Sequence, residues 1–416
     1  MIRLGVIGYG RRMRSVLAAI GRVDAGARVA ALVDPRADEL RAACPDELAG
    51  AVVYHDADSM LGGLDLDGVL IGTRCSLHTP YACEVLASGL PLFLEKPVAT
   101  SWEQAAQLRE AAARTRSPVV VSFPLRVSAM CELAKEILDA GVLGEVGQVQ
   151  AVNNVPAYAA GYYHGWMRDE AETGGLWMQK ATHDFDYLSY LVGQPAVRIA
   201  ATESKTVFRG DMPAGLRCVD CWRDDCPEKE RATESWLCAF APDTGNHDSA
   251  SALIQYASGA HAVYTQNFYT RRGAAARGAR LVGYRGTLEF DWYRDELVVH
   301  HHHASRVDRH TFRTTEGEGH HGGDQALARD FLAVIEGRGS SRTPLEAGIA
   351  SVELCLAARD SCRTGAFVEL GRAGAAALTR VDILAGPEAR HVASQVSVSG
   401  TRARLVPAPP PAGRCR

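Results

Sequence analysis

The sequence predicts an α/β fold: an N-terminal Rossmann doubly wound parallel sheet, then a C-terminal α+β domain with a large, mostly antiparallel open sheet. Three observations carry this. Six short apolar runs alternate with helical segments through residue 122, the pattern of repeated βα units joined by right-handed crossovers. The first run ends in a glycine-rich turn that opens a helix. Beyond residue 123 longer strand patterns replace the alternation, and Ser258-Gly259 marks a hairpin between two of them.

Leu4–Ile7 reads as a buried strand that breaks at Gly8-Tyr9-Gly10 before Met13, Val16, Leu17 and Ile20 mark one helix face. These are the first two glycines of a dinucleotide fingerprint, which let the backbone turn tightly and approach a pyrophosphate at the helix N-terminus. Met13 stands where the third glycine would allow close packing of helix on strand. The second strand, Val29–Val33, ends in Asp34, 24 residues after Gly10 and near the offset of a carboxylate that binds both ribose hydroxyls. That favours NAD over NADP, because an acid repels a 2′-phosphate, although Arg36 partly offsets it. Ala51–Tyr54, Val69–Gly72, Leu92–Glu95 and Val119–Ser122 supply the remaining strands. The loop after the fourth carries Thr73, Arg74 and His78, on the ligand side of the sheet or as a helix cap.

Leu92, Phe93 and Leu94 read as a strand buried on both faces, ending in Glu95, Lys96 and Pro97. Pro97 stops the strand and holds Lys96 extended, in the crevice where open α/β sheets bind ligands.

Hydrophobic residues make up 47% of the 416 and charged residues 23%, with a net charge of −4, the profile of a globular protein of two domains plus trimmings. Nothing points to nucleic acid, and no apolar stretch approaches the ~20 residues of a spanning helix. The N-terminus runs straight into a strand pattern without a signal segment, so a cytoplasmic location with reduced cysteines is expected.

Phe123–Ala140 reads as a helix and Glu145–Val155 as a long strand. Ala250–Tyr256, Ala260–Phe268, Gly278–Gly283 and Gly286–Phe290 continue the second sheet. After Gly174-Gly175, residues 176–193 have helical periodicity: Trp177, Ala181, Phe185, Leu188 and Val192 form one stripe, with Gln179, His183, Asp186 and Tyr190 opposite. His183 is therefore expected to face solvent or a cleft.

GVIGYG, ALVDP, GTRCSLHTPYA and LFLEKPVATS, with HDFD on the later helix, resemble the Gfo/Idh/MocA family of nicotinamide enzymes in order and spacing. The resemblance covers residues 1 to about 370 and implies an NAD(P)-dependent oxidoreductase acting on a secondary alcohol or ketone of a sugar, sugar derivative or cyclitol. It implies that Lys96 contacts the reacting oxygen and that His183 faces the nicotinamide as base. Many members carry an aspartate where this chain has Gln179, whose amide takes up no proton; Lys180 beside it is then a third catalytic candidate. For the cofactor the candidates are Gly8, Tyr9, Gly10, Arg11, Arg12, Asp34 and Arg36, then Thr73, His78, Glu95, Lys96 and Pro97 at the strand ends. For the substrate they are Lys96, Arg126, Tyr163, Trp166, Gln179 and His183. A homo-oligomer, dimer or tetramer, is implied through the broad sheet face. Two alternatives stay open: a glycosidase or lyase that retains NAD through transient oxidation, and a non-catalytic dinucleotide-binding sensor.

Cys218, Cys221 and Cys226 form C-x2-C-x4-C with Cys238 twelve positions on, a spacing that can hold a structural zinc. His300–His303 end a strand pattern in which neighbours point to opposite faces, so all four cannot share one ion. Residues 314–324 read as a flexible connection before a helix from Gln325 to Ile335. The expected domains are 1–122 for the dinucleotide, 123–371 for substrate and oligomer contacts, and a loosely ordered tail at 372–416.

Overall fold

Apolar runs without polar alternation belong inside a sheet covered on both faces, and here they form one. The computed structural model describes residues 1–156, 161–229, 233–313 and 319–371. The first sheet contains β1 (Arg3–Ile7), β2 (Arg28–Val33), β3 (Val52–Val53), β4 (Gly68–Ile71), β5 (Leu92–Leu94) and β6 (Val119–Val121), all parallel, in spatial order β3-β2-β1-β4-β5-β6. Every residue of β4, β5 and β6 is buried. Helices α1 (Arg11–Val23), α2 (Ala37–Ala43), α3 (Ala57–Gly63), α4 (His78–Ser88) and α5 (Trp102–Ala113) make the crossovers. Strand order reverses between β1 and β4, and a crevice opens there at the strands' carboxyl ends.

The predicted helix from Phe123 forms only as α6 (Ala129–Asp139), because the Ser128 hydroxyl accepts a hydrogen bond from Cys131 N–H and starts the helix there. The chain then enters a nine-stranded sheet of β7 (Val146–Asn154), β8 (Ala196–Ser204), β9 (Ser249–Tyr256), β10 (His261–Asn267), β11 (Ala276–Gly283), β12 (Gly286–Asp291), β13 (Glu296–His301), β14 (Arg306–Thr311) and β15 (Val368–Glu369). Its order is β14-β13-β12-β11-β7-β10-β9-β8-β15, and every pair is antiparallel except β10 with β7. Between β7 and β8 lie the short helices α7 (Gly161–His164) and α8 (Glu170–Thr173), then α9 (Thr182–Val192).

Two late helices tie the sheets together. α10 (Gly323–Ile335) returns to the first sheet, where Phe331 sits edge-on to Phe93 with ring centroids 5.6 Å apart. α11 (Leu345–Thr364) lies so close to the sheet that a Cβ on Gly348 would come within 2.9 Å of Val98 and 3.1 Å of Val121. One apolar cluster accordingly joins Leu94 and Val121 to Val149, Ile254 and Leu281.

Of the expected flexible connection, residues 314–318 lie outside the described residues, as does the tail from 372. Residues 319–322 form a defined turn and α10 begins at Gly323, two residues earlier than predicted. His300 and His301 finish β13, where His301 pairs with Asp308, and His302 and His303 each face the Tyr284 carbonyl.

Candidate active site

The crevice beyond β1, β2, β4 and β5 is a cleft of about 2120 Å³ that also takes its walls from α9, β11 and the turn before α10. Gly8 has φ +83, and a Cβ there would lie 2.8 Å from the Thr73 nitrogen, so only glycine lets β1 turn against the end of β4. Gly10 precedes α1, whose first turn has no side-chain cap and no acidic residue. Its N–H groups are left for a ligand. A Cβ on Gly10 would find only the Gly72 carbonyl oxygen, at 3.9 Å, and would otherwise project into the cleft. Met13 takes the third glycine's place because Gly72 makes room: a Cβ on Gly72 would fall 2.6 Å from the Met13 methyl.

Asp34 Oδ2 accepts from Tyr9 N–H at 2.8 Å and Oδ1 from Arg36 N–H at 2.8 Å, which locks the carboxylate beside the glycine turn. Asp34, Arg36, Gly8, Gly10 and Arg11 all line the cleft. The Tyr9 side chain does not. It turns into the core, where its hydroxyl meets Glu47, so only its backbone belongs to the site.

His78 Nδ1 lies 2.8 Å from the Pro97 carbonyl oxygen and Nε2 3.3 Å from that of Thr73. It bridges the ends of β4 and β5 and fixes both loops. Glu95 accepts from Arg12 Nε at 2.8 Å, and the same guanidinium reaches Ser122 Oγ and both oxygens of Asp324. Arg12, expected at the cofactor, is thus committed to a partly buried ion-pair network on the cleft wall. Lys96 Nζ donates to the Gln179 carbonyl oxygen at 2.9 Å. Burial lowers the Lys96 pKa, and Arg12 and Arg277 add to this against Cys75 and Glu95.

The segment before α9 departs from the regular helix the periodicity predicts. Trp177–Ala181 form a π turn in which Thr182 N–H bonds to the Trp177 carbonyl, a wider turn found often at functional sites. Gln179, Lys180 and His183 all line the cleft as a result. The Gln179 amide donates to Cys75 Sγ at 3.2 Å, and Lys180 Nζ sits 5.8 Å from the Tyr162 ring centroid. Burial pushes the Lys180 amine well below the usual lysine range, and Arg277 pushes it further. His183 is 8% exposed, with Nδ1 buried and without a hydrogen-bond partner among the described residues. Burial and then Lys96 and Arg277 hold its pKa well below that of an ordinary histidine, so the ring is neutral at physiological pH. Asp186, expected on the same open side, is instead buried under Arg126.

Two predicted substrate contacts lie elsewhere. Arg126 spends Nε and Nη2 on Asp186. Tyr163 is fully buried against Phe208, its hydroxyl on the His247 carbonyl. Trp166 does line the cleft, with the Arg74 guanidinium 4.1 Å from its ring centroid. Arg277, Tyr293, His320, His321 and Asp324 also line it, from β11, the turns after β12 and before α10, and the first turn of α10. Their only sequence signal was a histidine pair in a glycine-rich stretch.

The predicted cysteines do come together: Cys218, Cys221 and Cys226 lie near Cys238, whose thiol pKa is raised by burial and further by these three neighbours. Cys218 is buried beside His164 and the Leu237 carbonyl, Cys238 packs with Met212 and Ala241, and Cys221 and Cys226 are partly exposed. Among the described residues no three His, Cys, Asp or Glu side chains are grouped to hold an ion, and no helix is long and apolar enough to cross a membrane. A dinucleotide, by contrast, fits the residues present: a turn only glycine can make, an uncapped helix N-terminus, open space at Gly10 and a fixed carboxylate at the end of β2.

Residues 2–123 match the family described as the oxidoreductase family, NAD-binding Rossmann fold, and residues 135–370 match its C-terminal alpha/beta domain. The rhizopine catabolism protein MocA of Rhizobium meliloti is 29% identical over 210 residues, 50% of this chain and 62% of that protein. An inositol 2-dehydrogenase of Gluconacetobacter diazotrophicus is 32% identical over 151 residues, 36% of this chain and 45% of the relative. The chain spans about half the length of these curated relatives. A solved levoglucosan dehydrogenase, in complex with NADH and levoglucosan, shares the fold with a TM-score of 0.71 at 20% identity, covering 88% of this chain and 99% of that one.

Proposed function

The chain belongs to the Gfo/Idh/MocA oxidoreductase family, and from that premise we propose that it is a dehydrogenase moving a hydride between NAD and a secondary alcohol or ketone of a sugar or cyclitol. One observation carries the reading: Lys96, from the end of β5, meets the π turn at Gln179, one turn before His183, and all three line the cleft that contains the glycine turn. Inositol and levoglucosan dehydrogenases among the similar proteins support this substrate class.

When bound, NAD supplies the hydride acceptor. The N-terminus of α1 and Arg11 would hold the pyrophosphate, and Asp34 would hold the ribose; the carboxylate supports NAD over NADP. Hydride leaves carbon only as negative charge gathers on oxygen, so two protein groups must act on that oxygen. The neutral His183 imidazole accepts the hydroxyl proton, and Lys96 Nζ donates a hydrogen bond to the alkoxide that remains. Gln179 takes up no proton; its backbone carbonyl aims Lys96 and its amide is spent on Cys75. Lys180, with an amine easier to deprotonate than an ordinary lysine, stands where it can serve as a second base. Leu253 and Val263, an exposed cross-strand pair on the nine-stranded sheet, support a homo-oligomer through that face.

The test is a fluorescence screen for NADH formation over inositols, aldoses, amino sugars and glycosides, run beside Lys96→Ala. One or more alcohols should reduce NAD with the wild type and none with the variant. Equal rates in the two proteins, or no NADH from any alcohol, would overturn the reading.

A further inference from the structure

We propose that His320, held by Asp324, is a proton relay that takes the substrate's proton from His183 and delivers it to solvent. The proposal rests on the reading of His183 as base. It begins from an unusual backbone: His320 and His321 have φ +51 and +56 and are followed by Gly322 at +82, a left-handed conformation that histidine adopts only at a cost. The turn is held in place on both sides. A Cβ on Gly319 would lie 2.1 Å from Asp324 Oδ2, and one on Gly323 1.9 Å from the Pro124 carbonyl oxygen.

This turn puts the His320 ring in the cleft, with Nδ1 3.0 Å from Asp324 Oδ2. Asp324 is itself fixed by two hydrogen bonds from Arg12, at 2.9 and 2.8 Å. A carboxylate on Nδ1 keeps the hydrogen there and leaves the Nε2 lone pair free to accept a proton. The ring centroids of His320 and His183 are 6.2 Å apart, too far for a direct ring-to-ring hydrogen bond and near enough for one oxygen, of water or of a substrate hydroxyl, to bridge them. His183 is nearly sealed, whereas the His320 side chain is 38% exposed. A proton leaving the buried ring therefore has a polar neighbour that reaches water.

The transfer balances. The substrate O–H bond breaks and an N–H bond forms on His183; that N–H then breaks as one forms on His320 Nε2 across the bridging oxygen, and His320 releases its proton to solvent. The charged and titratable groups facing the two rings are Asp324, Arg12, His321, Arg277, Lys96 and Lys180. Among the described residues Asp324 is the carboxylate bonded to either ring.

Two measurements test this. Histidine ¹⁵N spectra of the full chain without substrate should show His320 as the Nδ1–H tautomer. In the acid titration, where His320 is itself protonated, the His183 pKa should lie about half a unit or more higher in His320→Gln than in the wild type, because an imidazolium beside it is removed. In turnover of the alcohol found by the NADH screen, His320→Ala should lower kcat on the order of tenfold with KM within about twofold, and added imidazole should restore part of the rate. A His183 titration indifferent to His320→Gln, or kcat unchanged in His320→Ala, overturns the proposal. The titration needs no substrate, so it separates this failure from failure of the dehydrogenase reading.

Discussion

Lys96 Nζ and the backbone carbonyl oxygen of Gln179 lie 2.9 Å apart although 83 residues separate them in sequence. This bond joins the end of the first sheet to the π turn of the second domain and points the amine at the cleft. Lys96→Ala is expected to lower turnover on the order of a thousandfold, the effect of removing a donor to a developing oxyanion. NAD affinity, measured by fluorescence titration, should change by less than about threefold. Lys96→Arg should not rescue, since a planar fork cannot replace a point charge held by one carbonyl. The lowered pKa of Lys96 also fixes a sign: activity that needs the ammonium is lost as pH rises, and its alkaline limb falls below the ordinary lysine range. A limb at or above that range would show that the lysine charge is not limiting.

Gly8 and Gly10 predict opposite outcomes for the same substitution. Gly8→Ala puts a Cβ 2.8 Å from backbone at φ +83, so it should cost about 1–3 kcal/mol of stability, read as a lower denaturation midpoint. Gly10 has φ −75 and no protein atom nearer than 3.9 Å to a new Cβ. Gly10→Ala should fold like the wild type and lose about tenfold or more in NAD affinity. Normal NAD binding by Gly10→Ala would remove this turn from the dinucleotide site.

The first sheet was legible because strands buried on both faces leave continuous apolar runs with polar ends, so Lys96, Asp34 and Thr73 could be placed at the crevice from order alone. Which way a given side chain turns is a different matter. Tyr9, Arg126 and Tyr163 stand beside site residues in sequence, yet each found a better partner away from the cleft, in Glu47, Asp186 and the His247 carbonyl. The π turn was hidden because one extra residue in a turn leaves the apolar stripe of α9 nearly unchanged. Arg277 and His320 enter through strand register and a left-handed turn formed far along the chain, and periodicity carries no trace of either.

Arg126 and Asp186 make a buried pair whose removal should be costly without touching the chemistry. Side-chain exposures are 11% and 1%, so Arg126→Ala leaves a carboxyl buried alone, at a cost of about 3–5 kcal/mol. Burial, against the pull of Arg126, already pushes Asp186 up to about 6. Because the folded value is raised, the folded state is favoured at low pH and that advantage is lost as pH rises through it. Without Arg126 the carboxyl should rise further, so the variant's deficit, read from urea midpoints, should be smaller at pH 5 than at pH 8. A deficit independent of pH would mean that Asp186 is not the group left exposed to the change.

Asp324 carries the opposite sign. Burial alone would raise its carboxyl, but hydrogen bonds and charge from His320 and Arg12 outweigh that and hold it well below the usual carboxylate range. A depressed folded value means that the carboxylate's contribution is complete above the unfolded pKa, about 3.9, and is lost as pH falls below it toward the folded value. Wild type should therefore exceed Asp324→Asn in urea midpoint from about pH 8 to 5, with the gap closing below about pH 4. The variant retains an oxygen for His320 Nδ1 but no charge for Arg12, whose other carboxylate partner is Glu95. The lost stability should thus come chiefly from α10 and its hold on α1, seen as faster amide exchange at the start of both helices. Equal exchange in the two proteins would locate the Asp324 contribution elsewhere than in this contact.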